Sequence, residues 1–498
     1  HRQVVYPDDL DLLLVELELL STGRKVFHNL HYRWMGKNHE TIWINCRGRV
    51  LSDPEDGSPR YLVGCINEIG AKQKADNVSG LLGEYSLKIF YESRSPKLPQ
   101  GFLLRIGIDD FKNINESHGN EYGDYILRRT AQCIEENIGP EQSLFHIVAD
   151  EFAVVDFSGG SVQQAEDLFH EIKKSIYAFI EQNQYKAVYT VSGGIVKNGD
   201  VDNSFENAMK LSEFALSEAK ERGKNSCYVF EEEEYEDYLK SRTLLRQLHH
   251  AVNNGFEGFE AYFQPLVNAA NGELTGAETL LRFHSPEGGM VSPGEFIPIL
   301  EESGLIIPVG RWVLRQALDA CREWQKILPE FKVNVNLSYV QVLKSRVLTD
   351  VRRIVDEFGV KPSSVCIELT ESGYLEENER FDKVWNGLKE YGVLLALDDF
   401  GTGYSNLRCL SDLKPAYIKI DRSFTLKALN REYEYRLLNH IVEMSHSLGL
   451  HVCVEGIETE GELTKAKQTE PDYIQGFLFG KPCSRAEFTQ KFFTKQAG

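Results

Sequence analysis

Between residues 246 and 498, short apolar runs alternate with stretches of helical period, and this alternation restricts the fold more than any other feature of the chain. Strand candidates lie at 261–266, 274–281, 332–337, 365–369, 393–397, 417–420, 451–454 and 473–478. Helical stretches at 313–327, 348–357, 381–391 and 432–448 separate most of them. Eight strands interleaved with helices over about 250 residues predict a TIM-like β/α barrel.

In such a barrel the chemistry sits where strands meet their following loops. The residues ending each strand are therefore the ones to read. Strand one ends near Gln264, strand two carries Glu278 and Arg282, strand three ends at Asn336, strand four at Glu368 and strand five at Asp398-Asp399, while strand six carries Lys419 and Asp421, strand seven Glu455 and strand eight Gln475. Nearly every strand delivers an oxygen ligand or a cation to one rim. Four or five carboxylates crowded into a low-dielectric cleft repel one another, and two divalent cations would relieve that. Oxygen donors without His or Cys select hard ions, Mg²⁺ or Mn²⁺. A two-metal site suits in-line phosphodiester hydrolysis. Taken singly these residues say little. An Asp-Asp pair after a strand is more often a cap or a turn, Lys419 alone could be a surface lysine, and Glu458 alone a loop acid.

Charge narrows the partners. With 75 acidic against 55 basic residues the formal charge is −20. That balance excludes polymeric nucleic acid as a nonspecific ligand, because phosphate contacts need Lys and Arg. An anionic phosphate compound is still accessible through bridging divalent metals. Nine cysteines without a CxxC pair fit reduced thiols in packed positions. No run approaches the roughly 20 apolar residues of a membrane span, and no signal peptide opens the chain. A cytoplasmic chain is expected. It begins at His1 rather than Met, which leaves room for an upstream anchor or sensor.

Two segments precede the barrel. Residues 74–232 read as an α/β unit: an apolar strand at 102–109, a helix at 122–138, a hairpin at 144–156 turning at Ala149-Asp150-Glu151, a helix at 162–180, a strand at 188–196 and a helix at 205–222. An acidic run at 231–234 and a helical pattern at 244–252 follow, and 233–245 reads as a linker helix. Residues 1–73 read as three alternating strands, 26–34, 40–50 and 60–68, the last two joined by a turn at 53–57. An acidic helix start, Tyr6-Pro7-Asp8-Asp9, precedes them.

The barrel segment resembles the EAL-type cyclic di-GMP phosphodiesterases along its whole length. The resemblance rests on Glu278-Thr279-Leu280-Leu281-Arg282 (Thr279 replacing the usual Ala), Asn336-Leu337-Ser338, Glu368-Leu369-Thr370-Glu371 and Asp398-Asp399-Phe400-Gly401-Thr402-Gly403-Tyr404-Ser405. It continues through Lys419-Ile420-Asp421, Val454-Glu455-Gly456-Ile457-Glu458-Thr459 and Gln475-Gly476-Phe477. It implies a barrel with one antiparallel strand and hydrolysis of cyclic di-GMP to linear pGpG. It also implies that Glu278, Asn336, Glu368 and Asp398 hold one Mg²⁺ or Mn²⁺, and that Asp398 bridges to a second ion near Asp399 and Glu455. Lys419 would orient or help deprotonate the attacking water, with Gln475 beside it. Arg282, Gln264 and Asp421 would meet substrate, and Glu371 would brace a mobile loop at 401–405.

The middle segment resembles the GGDEF-type diguanylate cyclases. The matching pieces are Asp76-Asn77-Val78-Ser79-Gly80-Leu81, Ile108-Asp109-Asp110-Phe111-Lys112-Asn113-Ile114-Asn115, Tyr122-Gly123-Asp124, Val148-Ala149-Asp150-Glu151-Phe152, Ala219-Lys220 and Gly223-Lys224-Asn225. The departures point to a degenerate domain. Val148 and Ala149 stand where the signature has two glycines, Gly107 stands where the first strand supplies an Asp metal ligand, and the inhibitory Arg-x-x-Asp site falls on Gly139 and Gln142. No cyclase activity is expected. Asn115 and Asp124 match guanine-contacting positions, and Lys220 and Lys224 match phosphate-contacting ones. Regulatory GTP binding is one reading of the domain; a spacer or dimerisation unit is the other. The first segment resembles the C-terminal portion of a PAS sensor domain, through Tyr32-Arg33-Trp34, Thr41-Ile42-Trp43, Tyr61-Leu62-Val63-Gly64 and Asn67-Glu68-Ile69. PAS and EAL-type domains commonly dimerise, so a homodimer is expected.

Three functional classes follow. The complete rim set points to a metal-dependent phosphodiesterase, regulated by the two preceding domains. A silent scaffold binding cyclic di-GMP or GTP is the alternative. A bifunctional cyclase and hydrolase is disfavoured by Gly107, Val148 and Ala149.

Overall fold

The computed structural model describes residues 4–35, 41–53, 58–69, 76, 78–94, 100–184, 186–198, 204–370, 379–401 and 407–494. The chain divides into two compact units, His1–Glu236 and Asp237–Gly498.

The first unit opens with helix α1 (Leu10–Ser21) and an antiparallel sheet of β1 (Phe27–Met35), β2 (Thr41–Ser52) and β3 (Pro59–Ile69). Leu13, Tyr32 and Ile44 form its small buried core. The predicted strands are there; of the predicted turn at 53–57, residues 54–57 lie outside the described ones. A larger α/β layer follows: α2 (Glu84–Arg94), β4 (Phe102–Ile108), α3 (Phe111–His118), α4 (Asn120–Asn137), β5 (Gln142–Val148), β6 (Glu151–Asp156), α5 (Val162–Gln182), β7 (Val191–Lys197), α6 (Phe205–Glu221) and β8 (Cys227–Val229). The sheet order is β5-β6-β4-β7-β8. Separate clusters of buried side chains cover its two faces. Burial on both faces is why β4 reads as a continuous apolar run instead of an alternating one. Helix α7 (Glu232–Asn253) is a single element. The acidic start, the linker segment and the helical stretch after it are therefore one helix.

The second unit contains β9 (Phe259–Asn268), β10 (Leu274–Ser285), β11 (Gly289–Val291), α8 (Pro293–Ser303), α9 (Ile306–Trp324), β12 (Lys332–Asn336), α10 (Tyr339–Lys344), α11 (Val347–Phe358), β13 (Val365–Thr370) and α12 (Glu379–Tyr391). It continues with β14 (Leu394–Phe400), α13 (Leu407–Leu413), β15 (Tyr417–Ile420), α14 (Arg422–Asn430), α15 (Glu432–Ser447), β16 (His451–Val454), α16 (Glu460–Lys467), β17 (Tyr473–Gln475), β18 (Cys483–Ser484) and α17 (Arg485–Phe492). Strands pair in the order β10-β12-β13-β14-β15-β16-β17-β9, and β9 pairs back onto β10 to close the barrel. β9 is antiparallel to both neighbours, as the resemblance implied. β10 and β12 to β17 run parallel to one another.

Helix α9 starts seven residues before the predicted 313, because Pro308 sits in its first turn, where a missing N–H costs nothing. Strand β17 ends at Gln475 instead of running to 478. A Cβ on Gly476 would lie 2.0 Å from the Ile457 carbonyl oxygen, so the backbone leaves the sheet there in a contact only glycine permits.

β12 shows how the sequence builds an apolar shell and a polar lumen together. Val333 and Val335 are buried in the shell beneath the helices, while Lys332, Asn334 and Asn336 alternate to the other face. The shell is rich in aromatics. Phe263, Phe283, Phe296, Phe331 and Trp324 are almost wholly buried, each contributing about 1.5–3 kcal/mol relative to exposure.

Candidate active site

Lys419, projecting from β15, is the centre of the rim. It is 2% exposed, and its Nζ lies 3.1 Å from Glu278 Oε2, 3.0 Å from Glu368 Oε2, 3.3 Å from Asp398 Oδ1 and 2.8 Å from Glu455 Oε1. These four carboxylates come from β10, β13, β14 and the end of β16. Glu278, Glu368 and Asp398 each offer an oxygen within 4.8 Å of the others. Amides orient the set. Gln475 Nε2 donates to Glu278 Oε2 (2.7 Å) and to Gln264 Oε1 (3.1 Å), and Asn336 Nδ2 donates to Glu278 Oε1 (2.9 Å). Asn334 Nδ2 donates to Glu368 Oε1 at 2.7 Å.

Asp398 and Asp399 are consecutive, and in a regular strand they would face opposite sides. A bulge resolves this. Leu397 pairs with Ile418 and Phe400 with Ile420, so two residues of β14 stand against Lys419 alone. Asp399 takes a left-handed φ of 57°, uncommon outside glycine and of a kind that collects at functional sites. Its backbone N–H donates to Asp398 Oδ1 at 3.0 Å.

The electrostatics follow from burial and from the imbalance of four acids around one base. Desolvation raises Glu368 well above the carboxylate range, and the neighbouring acids add to it against the pull of Lys419. Burial also raises Asp398, and pushes Glu455 up to about 8. Burial together with the charges of Asp398 and Asp421 takes Asp399 to about 6. Glu278 goes the other way: burial acts to raise it, but the charge of Lys419 and the hydrogen bonds from Gln475, Asn336 and Lys419 hold it below its ordinary value. For Lys419, burial acts to lower the pKa, and Asp398, Glu278, Glu368 and Glu455 override it, so the ammonium keeps its proton.

The other predicted residues fall less centrally. Arg282 is half-buried, donates to the Leu281 carbonyl (2.9 Å) and lies over the Tyr262 ring at 5.5 Å. Asp421 caps α14, accepting from Ser423 N–H at 2.7 Å, while its charge reaches Asp399. Glu371 and residues 402–405 lie outside the described residues. Asn334 was missed, although its signal was present: it sits two residues before Asn336 on the same strand face. An open cleft of about 130 Å³ adjoins the carboxylates, lined by Gln264, Arg422, Glu455, Glu458, Gln475 and Phe477. Within it Arg422 pairs with Glu458.

The hairpin of the first unit carries a second acidic pair. β5 and β6 turn at Ala149-Asp150, with Ala149 at φ 51° where glycine would be unstrained. Val148 beside it is exposed. Glu151 faces Gly107 across β4, and Arg105 engages it, with Nε and Nη2 at 2.7 and 2.6 Å from Oε2. A Cβ on Gly107 would meet Lys220 Nζ at 3.0 Å, so the lysine stands over the position left without a side chain. Lys224 is paired with Asp110 at 2.8 Å. Asn115 packs against Gly123, next to Asp124. Asn77 of the opening motif lies outside the described residues, while Asp76 accepts from Ser79 N–H at 2.7 Å.

Known families place these sites. A family model described as EAL domain matches residues 245–482, one described as diguanylate cyclase, GGDEF domain matches 86–226, and one described as PAS fold matches 1–66. The chain is a PAS–GGDEF–EAL protein. It is 32% identical over 410 residues to the protein y4lL of Sinorhizobium fredii, covering 82% of this chain and 49% of that one. Identity is 29% over 381 residues to the bifunctional diguanylate cyclase/cyclic di-GMP phosphodiesterase MucR of Pseudomonas aeruginosa, covering 76% and 55%. It is 29% over 455 residues to the cyclic di-GMP phosphodiesterase PdeR of Escherichia coli, covering 91% and 67%. This PAS–GGDEF–EAL chain thus spans about half the length of y4lL and MucR. A solved structure described as PaMucR phosphodiesterase, c-di-GMP complex, is 32% identical, covers 49% of this chain and 99% of that one, and has a TM-score of 0.47. No described helix of the protein is long and apolar enough to cross a membrane.

The EAL domain's rim fits hard divalent cations. Its donors are all oxygen, three carboxylates already converge within 4.8 Å, and one ammonium faces four acids. The GGDEF domain's hairpin does not fit them as well. Gly107, facing Glu151, offers no side chain, and Glu151 is held by the Arg105 guanidinium.

Proposed function

We propose that the EAL domain hydrolyses cyclic di-GMP to linear pGpG with a pair of Mg²⁺ or Mn²⁺ ions. The observation carrying this reading is the convergence of carboxylates from four strands on one buried ammonium, which leaves a formal excess of three negative charges if all ionise. The phosphodiesterase names of MucR and PdeR support the substrate class.

Glu278, Asn336, Glu368 and Asp398 would hold one ion, and Asp398, Asp399 and Glu455 the second. Bound there, the ions supply positive charge to the phosphodiester and to the oxygens entering and leaving it. In the reaction water adds to phosphorus and the P–O3′ bond breaks, giving a 5′-phosphate monoester and a 3′-hydroxyl. Arg282 and Gln264 meet substrate from β10 and β9, with Asp421 close by. Gln475 fixes Glu278 and Gln264 in one hydrogen-bonded row. Of the two roles implied for Lys419, orientation fits better than proton abstraction, because its four acids keep it protonated.

The GGDEF domain makes no cyclic di-GMP in this reading, because Gly107 offers no side chain, Arg105 engages Glu151, and Asp150 is left without a second free acid beside it. A regulatory GTP would meet Asn115 and Asp124 with its base and Lys220 with its phosphates. Lys224, paired with Asp110, is less available.

One experiment tests the whole reading. The full chain is incubated with cyclic di-GMP and Mg²⁺ or Mn²⁺, and separately with GTP, and the products are resolved. Linear pGpG that disappears in Glu278→Ala is expected. Binding without turnover would favour the scaffold, and cyclic di-GMP formed from GTP would overturn the reading of the middle domain.

A further inference from the structure

β12 carries two asparagines on its lumen face, and they face different surroundings. Asn336, at the strand's end, is exposed, and its amide donates to Glu278 on β10. Asn334, one pleat deeper, is 7% exposed, and its amide donates to Glu368 on β13. The register makes this arrangement a crossing. Asn336 is aligned with Glu368 and Asn334 with Glu278, yet each amide reaches the glutamate on the opposite neighbour. One strand thus ties together the two acids that flank it.

Asn334 lies below the rim, where it lines a small interior cavity with Lys332, Cys366, Tyr417 and Cys453. From there it cannot touch a substrate in the cleft. What it does touch is the most deeply buried acid of the cluster. Glu368 is 0% exposed, and its two oxygens are divided between Asn334 and Lys419 (2.7 and 3.0 Å). Without the amide, Oε1 would lose that donor inside a closed barrel, and the carboxylate could rotate away from its neighbours. Such a loss is costly, because a buried acceptor without a donor has no water to replace it.

We infer that Asn334 is a positioning residue for the metal site: it fixes the Glu368 carboxylate in the orientation from which Glu368 would bind a divalent ion. The inference rests on the proposed metal-dependent reading and extends it to a residue outside the donor set. Groups that orient a metal ligand typically change metal affinity by about 10–100-fold when removed. The effect should appear as weaker metal binding and not as weaker substrate binding.

The test uses the full chain without substrate and titrates Mn²⁺ by electron paramagnetic resonance or calorimetry. Asn334→Leu keeps the volume and removes the donor; Asn334→Ala takes its place should Leu fail to fold. Mn²⁺ affinity at least about tenfold below wild type is expected. In turnover assays KM for cyclic di-GMP should stay near the wild-type value, while kcat falls at limiting Mn²⁺ and recovers at saturating Mn²⁺. Wild-type affinity in the variant, or a kcat loss that saturating Mn²⁺ does not restore, would overturn the inference. A wild-type chain that binds no Mn²⁺ would instead sink the metal reading beneath it.

Discussion

The barrel rim and the GGDEF hairpin are made from similar parts and arrive at opposite charge states. Each has adjacent acids at a strand end and a basic side chain from a neighbouring element. At the rim four carboxylates share Lys419, and no rearrangement of those groups can neutralise them. At the hairpin two nitrogens of Arg105 engage Glu151 while the third lies 3.8 Å from Glu213, and Lys220 stands over Gly107. The difference is one of stoichiometry. An unbalanced buried acidic set is relieved by external cations or by taking up protons, in keeping with the raised Glu368, Asp398 and Glu455, whereas Glu151 already has a guanidinium against it. A motif match that counts acids without counting their internal partners would rate the two sites alike.

The largest expected effect comes from removing the one internal cation at the rim. Lys419→Met leaves four acids facing each other, and breaking a buried pair from one side typically costs about 3–5 kcal/mol. The EAL domain of this variant should unfold at markedly lower urea in EDTA and recover part of the loss with Mn²⁺. Equal stability of variant and wild type in EDTA would mean that the acids do not depend on Lys419, and the contrast with the hairpin would collapse.

A smaller effect is expected from pushing the hairpin toward the rim's condition. Gly107→Asp with Arg105→Leu adds one acid and frees another. The new Cβ meets the flexible end of Lys220 at 3.0 Å and Leu216 Cδ2 at 3.2 Å, so both side chains must give by a few tenths of an ångström for the fold to accept it. On a Glu278→Ala background, to weaken the barrel site, the double change should create a Mn²⁺ site that the parent lacks, at least about a tenfold gain in affinity. Gly107→Asp alone should gain less, because Arg105 still holds Glu151. A gain as large from the single change would show that the guanidinium is not what closes the site.

Much of the rim was legible in the sequence because strand ends and alternation are local signals. Glu368, Glu455 and Gln475 follow from asking what terminates each apolar run, while Glu278 is an acid carried inside one. Three features were hidden for identifiable reasons. The direction of β9 leaves no trace in a period of two, which reads the same either way along a strand. The bulge at Asp398-Asp399 exists only as a mismatch of register with β15, and no glycine marks it. Arg105 was legible as a lone charge inside the apolar run 102–109, a pattern that asks for a buried partner, but its partner Glu151 comes from a strand that pairing alone brings near. Asn334 shows the same limit: its face was readable, but the acid it would reach was not.

The base of the barrel supplies a third arrangement, in which one acid is shared by two histidines, and it gives the smallest expected effect. Asp472 accepts from Val452 N–H at 2.8 Å and faces His446 Nε2 at 2.9 Å and His451 Nδ1 at 3.0 Å. Burial acts to raise its pKa, but the hydrogen bonds from His451, Val452 and His446 outweigh it and hold the carboxyl below its ordinary value. A carboxyl with a lower pKa folded than unfolded stabilises the fold above its unfolded value, and the contribution drains away as pH falls through the folded one. Asp472→Asn should therefore cost about 1–2 kcal/mol in urea unfolding near pH 7. The gap between variant and wild type should narrow as pH drops below about 4. The sign separates this site from the rim, where burial raises Glu368, Asp398 and Glu455 because those acids lack enough donors. A gap that widened toward acid would mean that Asp472, too, is an under-partnered acid, and that donor supply does not distinguish the two ends of the barrel.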